Sequence, residues 1–282
     1  MLPFWISIAL LSLAQGALVA VPGALAGAWT RRFRSRRWAV VPPLSIVAFV
    51  FGARAAERAS AQGLTYLALA AVPLLAALAL GWLVWNAGPP RLGRAALVAP
   101  LFALAWADRA GLPGEGAALL LSALSCAALG VLLATVTPPS WLAAGIVAMA
   151  LADTALVVSD LLQRPNDALN AAHPVAGLPQ LQSAVFGSAV MGYGDLFIAG
   201  ALGGLLAATA GRHEQLRAAA LTAALALCAD LLFFFVDELP ATVPVALALL
   251  ATLVLRRRAR SAPAPGTRSA PREPRPRARA AP

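Results

Sequence analysis

Apolar stretches of about 20 residues, separated by short polar or basic runs, recur along most of the chain. As a helix, a stretch of that length crosses roughly 30 Å of hydrocarbon. The pattern predicts nine spans, near residues 3–28, 38–53, 64–86, 95–107, 116–136, 141–162, 181–209, 216–236 and 240–255. The fourth is cut short by Asp108 and Arg109 and interrupted by Pro100. Residues 1–256 therefore read as an all-α, polytopic membrane domain. Beyond it, residues 257–282 turn to Arg, Pro, Ala and Ser. Such a segment cannot bury enough apolar surface to offset chain entropy, so a disordered basic tail is expected. Its expected role is to anchor the last span and attract anionic lipid headgroups, ahead of any nucleic-acid binding.

Composition excludes a soluble globule. Apolar residues make up 60% of 282 positions and charged residues 12%, against roughly half and a quarter in soluble domains. The net charge of +10 comes from 22 basic residues, all of them arginine. Five lie in the cluster 31–37, and others follow the last span. With loops assigned alternately, one side receives Arg31, Arg32, Arg34, Arg36, Arg37, Arg91, Arg94, Arg212, Arg217 and the tail. The other side receives Arg54, Arg58, Arg109 and Arg164. Cytoplasmic loops carry the basic excess, so the N-terminus is expected outside and the C-terminus in the cytoplasm. Trp29, Trp38, Trp85 and Trp141 fall near the basic ends, where indoles favour the interface. The first span lacks a basic leader and reads as a retained helix. Cys126 and Cys228 lie in apolar spans and are expected to be free thiols with a packing role.

Three carboxylates interrupt these spans: Asp153, Asp195 and Asp230. Each costs on the order of 3 kcal/mol at the bilayer centre, which makes an intramembrane acid a candidate functional group. Asp195 follows Gly192 and Gly194, whose lack of side chains is costly in a helix and leaves room for another backbone. Gly200 and Gly204 then form a small-residue face expected to pack on a neighbouring span. Counting helical rise places Asp153 about 18 Å from the basic end and Asp195 about 21 Å from the opposite end. The two are thus within reach of a common level. Asp160 shares a helical face with Asp153 but lies nearer the surface, and stands as the alternative first aspartate. Two facing carboxylates in a low-dielectric site share a proton, which suits one as base and the other as acid in peptide hydrolysis. Asp230 is a candidate to tune such a pair.

Gly192-Tyr193-Gly194-Asp195, Asp153 in the preceding span and Pro240-Ala241 before the last span resemble the GxGD intramembrane aspartyl proteases of presenilin and signal peptide peptidase. The resemblance implies a presenilin-like nine-helix fold in a bacterial-type homologue. Asp153 and Asp195 would be catalytic, with Gly192, Tyr193, Gly194, Pro240 and Ala241 positioning the substrate. It also implies cleavage of single-span membrane proteins in a bacterial plasma membrane, without a cofactor. Ala152 stands where the family usually has tyrosine, and Pro240-Ala241-Thr242 where it has proline-alanine-leucine. The orientation resembles signal peptide peptidase, implying substrates with cytoplasmic N-termini.

Two other readings use the same residues. Prepilin peptidases also carry GxGD, but normally with a lysine soon after it, where Leu196-Phe197-Ile198 stands here. A proton-coupled transporter also buries aspartates. Zinc hydrolysis is disfavoured because there is no HExxH and the two histidines, His173 and His213, fall in loops. No metal site is expected, and no pattern specifies an oligomeric state.

Overall fold

The computed structural model describes residues 2–24, 34–55, 57–84, 91–236 and 238–261. Trp29, Arg31, Arg32, Trp85 and the tail from 262 onward lie outside the described residues. The helices are α1 Phe4–Ala20, α2 Val41–Ala55, α3 Glu57–Leu78, α4 Leu92–Ala95, α5 Val98–Ala107 and α6 Leu112–Val136. They continue as α7 Pro139–Val158, α8 Gln163–Ala171, α9 Tyr193–Thr209, α10 Arg212–Asp230 and α11 Thr242–Ser261. Between α8 and α9 a hairpin pairs β1 Ser183–Phe186 with β2 Ala189–Gly192.

Among the described residues, four helical segments are long and apolar enough to cross a membrane: Ala59–Leu83, Leu112–Val136, Pro139–Val158 and Arg212–Phe234. Phe4–Ala20, Leu92–Ala107 and Tyr193–Thr209 are shorter apolar helices. Leu67, Leu74, Leu151, Phe51 and Phe235 are each more than 60% exposed on the outside of the bundle. Water penalises such a surface, whereas lipid accepts it. The chain has the build of an α-helical membrane protein.

Proline and glycine set several boundaries. Pro113 sits in the first turn of α6 and Pro139 in that of α7, where a missing N–H costs nothing. Pro100 lies just inside α5, so the fourth predicted span divides into α4 and α5 at residues 96–97. The last helix starts two residues later than expected, at Thr242, leaving Pro240 and Ala241 in the approach. It runs to Ser261, so the helical domain extends past residue 256.

The largest departure is in the seventh predicted span. Residues 183–192 form a hairpin, not helix, and only Tyr193–Thr209 is helical. Gly187 has φ 64° at the first position of a two-residue turn followed by Ser188, a position where glycine carries no steric penalty. The turn is pinned from three sides. Glu115 Oε2 accepts from Gly187 N at 2.6 Å, Ser7 Oγ accepts from Ser188 N at 3.1 Å, and Ser188 Oγ donates to Leu2 O at 3.0 Å.

Helix α9 is the centre of the bundle, with every residue from Leu196 to Leu206 buried. Glycines allow this. A methyl group on Gly200 would strike the Cys126 carbonyl, one on Gly204 the Gly130 carbonyl at 2.5 Å, and one on Gly203 the Val19 carbonyl at 2.6 Å. The expected Gly200/Gly204 face thus packs on α6, while Gly203 admits α1 on the other side. Cys126 is buried in the α6–α9 seam, whereas Cys228 is exposed on α10 and not buried in the core. His213 lies in the first turn of α10 instead of in a loop.

Basic residues gather at one end of the bundle. Arg256 Nη2 donates to Thr209 O at 2.7 Å, Arg212 Nη1 donates to Ala20 O, and Arg36 lies 6.0 Å from the Trp141 ring centre. The hairpin, α8 and the α10–α11 connection occupy the opposite end.

Candidate active site

Asp153 lies five residues before the end of α7, and Asp195 is the third residue of α9. Both are therefore within about 8 Å of the hairpin end of their helices along the axis. The expected depth of about 21 Å for Asp195 runs along residues 183–192, which form the hairpin and not helix. Both carboxylates line one cavity of about 1000 Å³ and lie within electrostatic reach of each other.

Local structure fixes each carboxylate. Gly192 is the N-cap of α9, and its N–H donates to Asp195 Oδ2 at 3.1 Å. The carboxylate thus satisfies a free donor at the positive end of the helix. A methyl group on Gly192 would stand 3.0 Å from that oxygen, whereas one on Gly194 would only touch Met149 Cε at 3.6 Å. The backbone approach expected at these two glycines is not made. Their place is taken by the turn from β2 into α9. Asp153, 5% exposed, accepts from the hydroxyl of fully buried Thr242 at 2.6 Å. Thr242 is the first residue of α11, so this hydrogen bond ties the start of that helix to α7.

The remaining predicted residues sort by position. Tyr193, Gly194, Pro240 and Ala241 line the cavity with Gly192. The Tyr193 hydroxyl lies 2.7 Å from Ser125 Oγ, which fixes the ring on α6. Asp230 also faces the cavity and accepts from Ser12 Oγ at 2.8 Å. Asp160 does not reach it. With φ 52°, Asp160 sits exposed just beyond α7. Leu161 N donates to Leu156 O and Asp160 N to Val157 O, each at 3.0 Å, a Schellman stop in which aspartate takes the place usual for glycine.

Helix α1 supplies groups that the sequence reading passed over. Gln15 is fully buried and borders the cavity. Its Nε2 donates to Ala241 O at 2.8 Å and to Asp195 O at 3.3 Å, tying the approach to α11 to the first turn of α9. No group among the described residues donates to its Oε1. An unpaired buried polar atom costs about 1–3 kcal/mol. A polar residue in the middle of the first apolar span was the available signal. At the mouth, burial holds Glu238 above the usual carboxylate range; the charges of Asp167, Asp160 and Asp153 add to this, and a hydrogen bond from Asn166 opposes it.

Compared with known proteins, the chain matches no family model, no curated protein and no solved structure.

Proposed function

We propose that the chain is an intramembrane aspartyl endopeptidase of the presenilin and signal peptide peptidase type, hydrolysing single-span membrane substrates. One observation carries the reading: two carboxylates from different helices, Asp153 and Asp195, face one cavity inside an apolar bundle. An ionised member takes a proton from water as the water oxygen bonds to the peptide carbonyl carbon. The protonated member gives its proton to the carbonyl oxygen. Collapse of the resulting diol breaks the C–N bond, and the leaving nitrogen takes a proton from the pair.

The cavity wall supports a peptide substrate. No third strand pairs with β2 among the described residues, and Val190, Met191 and Gly192 border the cavity beside Asp195. An extended peptide can hydrogen-bond along such an edge. In this reading the chain has nine spans. The arginine-rich end faces the cytoplasm of a bacterial cell and the hairpin end faces outward.

The test is cleavage of a tagged single-span substrate by purified protein in detergent. Asp153→Ala and Asp195→Ala each abolish cleavage, while Asp160→Ala retains it. Activity surviving in Asp195→Ala overturns the reading. Asp230, a third acid on the same wall, favours the rival of a proton-coupled carrier. Proton-driven flux in liposomes that requires Asp230, without proteolysis, would establish that alternative.

A further inference from the structure

A helix hides its N–H groups in its own hydrogen bonds, so only unwound residues of a membrane segment present a free donor. Among the described residues, Gln15 Oε1 is an acceptor without a donor, carried by a fully buried side chain that borders the cavity. The orientation of the amide is fixed, because Nε2 already donates to two carbonyl oxygens, those of Ala241 and Asp195. Rotating the amide to pair Oε1 elsewhere would break both bonds. The missing partner must therefore come from outside this set of residues, and it must be a donor.

The position of the amide narrows the choice. The amide spans the gap between the first turn of α9 and the Pro240-Ala241 segment. The open edge of β2 ends at Gly192, next to the same turn. A strand laid along β2 toward Asp195 carries a backbone N–H every two residues on each side, about 6.6 Å apart. We infer that Gln15 Oε1 accepts a backbone N–H from the unwound stretch of a transmembrane peptide, making Gln15 a specificity residue that admits extended segments and rejects helical ones. This rests on the protease reading for the class of ligand. Oε1 is closed off from solvent in the structure, so the peptide meets it only when the wall of the cavity opens around the amide. The removal of an unsatisfied acceptor then adds to the binding of an unwound segment and not to that of a helix.

The experiment is an amide-to-ester scan. A fluorescent single-span peptide is prepared in versions that each replace one backbone N–H near the cleavage site by an ester oxygen. Affinity for the full-length protein in detergent is read by anisotropy, for wild type and for Gln15→Met, which keeps the length of the side chain but has no acceptor. One ester position is expected to weaken binding about tenfold in wild type and less than twofold in Gln15→Met. The Gln15→Met variant also loses the two Nε2 bonds, but that loss is common to every peptide and cancels in the comparison. If Gln15→Met does not fold, Gln15→Asn, which withdraws the oxygen by one methylene, is read the same way.

A flat scan in wild type, or an equal penalty in both proteins, overturns the inference; a water molecule as the donor gives the flat scan. Flat binding with normal cleavage defeats the Gln15 assignment and leaves the protease reading standing. The expected ester signature without cleavage of any peptide does the reverse. Absence of binding to any peptide overturns both.

Discussion

The two ends of α9 are built on opposite terms. At the Thr209 end the buried glutamine, Arg212 and Arg256 are paired, and Thr137 Oγ1 is the buried hydroxyl left without a partner among the described residues. Gln215, 3% exposed, donates to Val19 O at 3.0 Å, Pro22 O at 2.9 Å and Gly203 O at 3.4 Å, while its own Oε1 accepts from Arg212 at 3.0 Å. Arg256 bridges Glu214 at 3.1 Å and caps Thr209. At the Tyr193 end, among the described residues, another buried glutamine leaves its oxygen unpaired, two carboxylates face a cavity, and β2 offers an open edge. Buried polar groups are hydrogen-bonded as a rule, and exceptions mark strain or function. The closed end holds the helices together; the open end keeps its chemistry available to a ligand.

Substitutions at the two ends should therefore separate activity from stability. The largest effect is expected at the open end. Asp195→Asn lowers cleavage at least about a thousandfold, because a proton acceptor and donor are lost together. The thermal midpoint in detergent stays close to wild type, since Asn also accepts from Gly192 N. A collapse of the midpoint would make Asp195 a structural residue and erase the contrast. Next comes the glycine seam that carries both ends. Gly200→Leu drives a side chain into the Cys126 carbonyl, and overpacking of about 3 kcal/mol lowers the midpoint by about 10 °C.

Gln215→Leu tests the closed end directly. It leaves three backbone carbonyls and Arg212 short of a partner, a loss of about 2 kcal/mol or about 5 °C, with activity per folded molecule unchanged. Thr242→Val tests its counterpart at the open end. The valine fills the same volume but cannot donate to Asp153. The turnover number falls about tenfold with KM unchanged, the lost hydrogen bond to buried Asp153 lowers the thermal midpoint by about 3 °C, and Thr242→Ser restores both. A fall of the midpoint in Thr242→Val, with no recovery in the serine variant, would assign Thr242 to packing.

The closed end was more legible in the sequence than the open one. Gly200 and Gly204, four apart in an apolar run, announce a close helix contact, and the structure makes it with α6. The costly acids were legible too: Asp153 and Asp195 stood out because charge in an apolar span demands a reason, and both line the cavity. The hairpin was not read. Residues 183–192 are apolar enough to extend a span, and hydropathy over a wide window is blind to whether Ala, Val and Met lie on a helix or a strand. Gly187-Ser188 between two short apolar runs was the local signal for a turn. Uncharged polar residues escaped for the same reason. Ser12, Gln15 and Thr242 barely disturb the hydropathy of their spans, yet they supply the hydrogen bonds to Asp230, Ala241 and Asp153. Nothing in residue spacing reveals that α1 passes beside the start of α9, because that contact joins residues 180 positions apart.

The smallest expected effect concerns the mouth of the open end, where Glu238 stands outside the helices. Burial, and after it the like charges of Asp167, Asp160 and Asp153, favour its protonated form in the folded protein. A carboxyl raised in this way stabilises the fold below its unfolded value, about 4.3. That contribution is lost as pH rises through the folded value. As pH rises above about 4 the wild type therefore loses stability relative to Glu238→Gln, whose neutral amide does not titrate. The side chain is only partly buried, so solvent screens the repulsion and the difference amounts to about 1–2 °C in thermal midpoint. Paired melting curves across that range measure it. Salt reduces the difference if repulsion among these carboxylates contributes, whereas a difference indifferent to salt leaves burial alone as its cause. Parallel curves at every pH would mean that Glu238 ionises as it does in the unfolded chain, and that the mouth of the cavity is as wet as bulk solvent.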